Sequence, residues 1–90
     1  MPSWTFITSH GAVLALIGRR NHITTREIAA HVGLTERSVM RIIKDLETAG
    51  YIEKEKVGRA NHYKIRRDLP LRRQGAREVV IGELLKILED

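Results

Sequence analysis

The stretch from Gly33 to Gly50 constrains this chain more than any other. Thr35, a side chain suited to cap a helix, stands before Glu36 to Ala49, which contains neither glycine nor proline. On a 3.6-residue period Val39, Ile42, Ile43, Leu46 and Ala49 fall on one stripe. Arg37, Arg41, Lys44 and Thr48 lie opposite, while Glu36, Asp45 and Glu47 keep to the flanks. Such a segment forms a helix that docks its apolar side on a core and turns an uninterrupted cationic row outward.

A charged outer face alone belongs to most surface helices, so the neighbouring sequence decides how it is read. Upstream, Thr24 and Glu27 have the spacing of a capping box. A helix of about eight residues follows through Ile28, Ala29 and Val32, and Gly33 suits its left-handed C-cap. Gly33-Leu34-Thr35 is then a three-residue turn, with Leu34 placed to plug the core. A short helix, a tight turn and a cationic helix make a helix-turn-helix. An earlier helix, about Ser9 to Gly18, is capped by Thr8 or Ser9 and carries Val13, Leu14, Leu16 and Ile17. Arg19 to His22 is its polar exit, and Ile23 makes a one-residue strand contact.

Past Gly50, Tyr51 to Val57 and His62 to Arg67 alternate as two strands. The link Gly58-Arg59-Ala60-Asn61 supplies the glycine and asparagine of a hairpin loop. Asp68-Leu69-Pro70-Leu71 breaks the second strand, and a last helix spans about Ala76 to Leu88. The expected fold is α+β, mainly α: a winged helix-turn-helix with a three-helix core, a β-hairpin wing and an extra C-terminal dimerisation helix. Ninety residues make one domain. Its helix-turn-helix core and wing span 9–67, flanked by the segments 1–8 and 76–90 expected to serve dimerisation.

Composition narrows the partners. Residues 1–75 hold 14 basic and 7 acidic side chains, whereas 76–90 hold two basic and four acidic ones. A basic body calls for a polyanionic partner. With no cysteine, disulfides, thiolate zinc sites and iron–sulfur clusters are excluded. The four histidines, His10, His22, His31 and His62, have no metal-ligand spacing, so no metal and no cofactor is expected. No nucleophile motif or phosphate-cradling glycine loop is present, and Glu53 and Glu55 alternate with Lys54 and Lys56 as on a solvated strand. No enzyme is expected. The start lacks a signal-peptide pattern and the longest apolar run, residues 12–17, is too short to span a bilayer. The expected location is cytoplasmic and nucleoid-associated.

Residues 23–67, ITTREIAAHVGLTERSVMRIIKDLETAGYIEKEKVGRANHYKIRR, resemble the winged helix-turn-helix domain of small bacterial and archaeal transcriptional regulators of the MarR/ArsR-like group. The segments TTREIAAHVGLTERSV, IIKDLETAGYIEKEK and GRANHYKI carry the resemblance, and the flanks extend it over nearly the whole chain. It implies a homodimer on double-stranded DNA, with the third helix in the major groove and the wing beside it. By that resemblance Thr35 meets a phosphate at the helix N-cap, Arg37, Ser38 and Arg41 face base edges, and Lys44 touches backbone. Arg59 and Asn61 reach the minor groove or its phosphates from the wing tip, and Arg26 is a phosphate contact at the start of the second helix. Glu36 departs from the pattern: it either reads a cytosine amino group or complements the helix N-terminus. The long extra helices that form a ligand pocket in large members are missing, and no effector is assigned.

The ends read as a dimer seam. Val80, Leu84 and Ile87 form one apolar row and Ile81, Leu85 and Leu88 another, a stripe wider than one core contact needs. Trp4, Phe6 and Ile7 add bulk with no evident place in a three-helix core. Together they are expected to pack across a two-fold axis. The leading function is a sequence-specific, homodimeric transcriptional regulator that represses by occupancy. The competing readings are a winged-helix protein–protein module and an architectural or RNA-binding protein of low sequence preference.

Overall fold

The structure, a computed structural model, describes residues 8–69 and 81–88, with the side chains of 83, 84, 87 and 88 left out. In chain order the elements are α1 (Ser9–Arg19), β1 (His22–Ile23), α2 (Thr25–Val32), α3 (Glu36–Thr48), β2 (Ile52–Val57), β3 (Ala60–Ile65) and α4 (Ile81–Leu88). Helices α1–α3 and a three-stranded antiparallel sheet of order β1-β3-β2 make an α+β winged helix.

Local chemistry sets the helix limits. Thr8 caps α1, accepting from the Gly11 amide at 3.4 Å. At α2 the capping box is complete: the Thr24 hydroxyl accepts from the Glu27 amide at 3.0 Å, and the Glu27 carboxylate accepts from the Thr24 amide at 3.1 Å. Gly33 closes α2 at φ 72°, and the Gly33 and Leu34 amides both return to the Ala29 carbonyl. Thr35 opens α3, its hydroxyl accepting from the Ser38 amide at 3.1 Å.

The core lies where these helices meet the sheet. Val13, Leu14, Leu16 and Ile17 from α1, Ile28 and Ala29 from α2, and Val39, Ile42, Ile43 and Leu46 from α3 are all buried. Ile23, Ile52 and Tyr63 close the cluster from the strands. Ala49, expected on the apolar stripe, instead ends α3 as an exposed cap. Leu34 is half-buried against the core, as its turn position predicts.

Two expectations change. The wing loop is shorter than the four residues Gly58 to Asn61. Val57 pairs with Ala60, so Gly58 and Arg59 alone make the turn and β3 starts two residues early. Gly58 has φ 64° and no non-glycine residue has positive φ among the described residues, which meets the demand of a type II′ turn at its first central position. The register follows from burial further down: Ile52 pairs with Ile65, and Lys54 with the buried Tyr63.

The second change concerns α4. Ile81 and Leu85 are 2% and 0% exposed within this chain's own core, so they are not free to form a dimer seam. The polypeptide after β3 receives the helix: the Ile81 amide donates to the Leu69 carbonyl and the Gly82 amide to the Arg67 carbonyl, both at 2.8 Å. A Cβ on Gly82 would stand 3.2 Å from that Arg67 oxygen. Close approach to this strand-following segment accounts for the glycine. The expected start of the last helix at Ala76 lies outside the described residues, as do Trp4, Phe6, Ile7 and Val80. Leu84, Ile87 and Leu88 fall on α4, with side chains outside the description.

Candidate nucleic-acid interface

With Val39, Ile42, Ile43 and Leu46 turned inward, helical geometry puts Arg37, Arg41 and Lys44 on the outer side of α3. All three are exposed, and among the described residues none makes an ion pair or hydrogen bond. At a rise of 1.5 Å per residue the row covers about 10 Å, or roughly three base-pair steps.

The flanking acids are held aside. Asp45 accepts from the His10 ring of α1 at 2.8 Å, and Glu47 lies 3.7 Å from the Lys54 ammonium of β2. Both contacts pull carboxylates toward the body and away from the cations. Glu36 is exposed at the first turn, where its charge complements the helix N-terminus.

The remaining expected contacts are placed unevenly. Thr35 is exposed, and its hydroxyl is engaged in the cap, accepting from the Ser38 amide and donating to the Ser38 hydroxyl at 3.0 Å. Ser38 is half-buried and sits off the cationic row, about 100° around the helix from Arg37. Arg26, second residue of α2, is exposed without an ion pair among the described residues. Arg59 occupies the tip of the wing, exposed. Asn61 does not: it lies within β3, half-buried, and its amide donates to the Tyr63 hydroxyl at 3.1 Å. Burial raises the Tyr63 pKa against that hydrogen bond, so the ring stays a neutral anchor for the base of the wing.

Lys56 is a further candidate for the site, outside the helix-turn-helix motif. Side chains alternate along a strand, so Lys56 shares the face of Ile52 and Lys54, which looks toward α3. It is exposed and unpaired among the described residues, and the Ile52-Lys54-Lys56 alternation is the signal that finds it. Met40 is the most open large hydrophobic side chain among the described residues, on the outer side of α3.

The histidines are structural neighbours. His10 joins Asp45, His31 lies 3.2 Å from the Arg20 guanidinium, and His22 faces His62 across β1 and β3 with ring centroids 6.3 Å apart. Among the described residues no group of three His, Asp or Glu side chains could hold a metal ion. Nor is any described helix long and apolar enough to cross a membrane.

Comparison with known proteins agrees with this geometry. The sequence profile of the MarR family matches residues 5–60, which takes in α1, the helix-turn-helix and the first strand and turn of the wing. An uncharacterized protein of Methanocaldococcus jannaschii, MJ1254, is 41% identical over 59 residues. The aligned stretch covers 64% of this chain and 13% of that relative, so this chain corresponds to a small part of a much longer protein.

Proposed function

Since the chain belongs to the MarR family of winged-helix transcription regulators, we propose that it binds double-stranded DNA sequence-specifically as a homodimer and represses transcription by occupying its site. The observation that carries this reading is the row Arg37, Arg41 and Lys44, exposed opposite the core and without an ion pair among the described residues. An α-helix with its side chains is about 10–12 Å across and fits a major groove about 12 Å wide. Arg37 and Arg41 are in the first turns of α3, where a recognition helix meets base edges. Each guanidinium can donate two hydrogen bonds to guanine O6 and N7, discriminating by about 1–3 kcal/mol. Lys44, Lys56, Arg59 and Arg26 serve as phosphate contacts; they set position and make affinity depend on salt.

Thr35 contributes by forming the cap that aims the free amides of the first turn of α3 at a phosphate. Asn61 acts through Tyr63, bracing the wing from which Arg59 projects. The homodimer follows from economy of contacts: two arginines on base edges read half a site, so specificity calls for a second copy one helical turn along the duplex. With Ile81 and Leu85 used internally, the seam is assigned to Trp4, Phe6, Ile7, Val80, Leu84, Ile87 and Leu88.

Selection of bound sites from a randomised duplex pool tests the reading. A two-fold symmetric consensus with half-sites about 10 base pairs apart is the expected result. Recovery of an asymmetric consensus would remove the homodimer, and failure to retain any duplex at low salt would favour a protein-docking module.

A further inference from the structure

Among the described residues only Met40 and Val57 expose a large hydrophobic side chain, by 62% and 49%. Val57 borders the wing turn, whereas Met40 is set among charges. It follows Arg37 by three residues and precedes Lys44 by four, so it shares their outer surface along the edge nearer Glu36 and Glu47. The fold gains little from it, because a polar side chain would solvate that position at least as well. Its neighbours argue against an apolar protein surface as occupant: covering Met40 that way would desolvate two unpaired cations. A duplex meets both demands, since phosphates and guanine edges engage the cations while the floor of the major groove offers one apolar group, the C5-methyl of thymine.

We propose that Met40 is a specificity residue that packs on a thymine methyl beside the base pairs read by Arg37 and Arg41. An unbranched thioether has the flexibility to follow a methyl whose position shifts with local base-pair geometry. Arginine and methionine on one helix face would then specify opposite features of the groove, a guanine acceptor pair and a pyrimidine methyl. This inference rests on the DNA-binding reading given above.

The test replaces thymines of the selected duplex by deoxyuridine, one at a time, and measures binding to wild type, Met40→Ala and Met40→Leu by fluorescence anisotropy. At one thymine per half-site, loss of the methyl should weaken wild type about three- to fivefold, the worth of one buried methyl-sized group. Met40→Ala should show a similar loss on the thymine duplex and no further loss on the deoxyuridine duplex. Met40→Leu should retain the methyl response. Equal deoxyuridine effects in wild type and Met40→Ala, no effect in either, or a selected site lacking thymine next to its guanines would overturn the assignment while leaving DNA binding intact. Failure of wild type to bind any duplex would instead remove the DNA-binding reading and this inference with it. Because Met40 is exposed, its substitutions should leave thermal stability nearly unchanged, which confirms that each variant is folded.

Discussion

Arg20 and Arg41 are the same residue type in one small domain, yet they serve different ends. Arg20, just after α1, is held by α2: its guanidinium donates to Glu27 at 3.1 Å and lies 3.2 Å from His31. Arg41 is on the outer side of α3 with no partner among the described residues. A positive charge is therefore a weak signal of function until its partners are counted. Arg20 ties α1 to the capping box of α2, whereas Arg41 keeps all five guanidinium donors free for a ligand. The contrast repeats within α3, whose acids Asp45 and Glu47 are drawn to His10 and Lys54 while the cations between them stay open.

The sharpest way to break this contrast uses two adjacent residues of α3. Ile42 is 3% exposed and Arg41 faces out. Ile42→Ala should cost about 2–5 kcal/mol of stability in chemical denaturation. Arg41→Ala should change stability by less than about 0.5 kcal/mol while weakening binding to the selected duplex. A stability loss in Arg41→Ala comparable with that of Ile42→Ala would mean that the cationic side is structural.

A smaller effect separates the Arg20 cluster from the α3 row. Thr24→Ala removes the cap that Glu27 shares, and should destabilise the protein by about 1 kcal/mol with the salt dependence of DNA binding unchanged. A flatter salt dependence in this variant would place the capping box inside the interface.

The capping box shows how much of this fold is legible in sequence, because its two partners are three residues apart and chemically matched. Thr35, Gly33 and the stripe of α3 are legible for the same reason: their period and caps are local. The wing turn is not. Gly58 and Asn61 are both ordinary turn residues, and only burial of Tyr63 and the pairing of Ile52 with Ile65, contacts distant in sequence, decide that Asn61 belongs to the strand. Ile81 and Leu85 fail in another way. Periodicity marks them as apolar without saying which core they enter, and their own domain takes them. Gly82 has no local signal, since its reason is a carbonyl fifteen positions earlier. Arg37, Arg41 and Lys44 are readable as a face, but their freedom from partners is visible only in three dimensions.

The smallest predicted effect concerns pH. Glu27 has its pKa lowered by hydrogen bonds from Thr24, backbone first and side chain second; desolvation opposes them, and Arg20 adds smaller Coulombic and hydrogen-bond contributions. A carboxylate held below its unfolded pKa stabilises the fold above that value, and the contribution disappears as pH falls through the folded one. Glu27→Gln should therefore lower the melting temperature at neutral pH, and the gap to wild type should close on acidification below the ordinary glutamate range. A gap that stays constant into acid would show that the Glu27 charge contributes nothing.

The direct trial of the outward cationic row is an anisotropy titration of wild type and the Arg37→Ala/Arg41→Ala variant on selected and random duplexes across a salt series. At about 1–3 kcal/mol per bidentate contact, the double change should weaken selected-site binding by at least about thirtyfold and bring it near random-duplex affinity, with thermal stability preserved. Selected-site binding left intact in that variant would contradict the account.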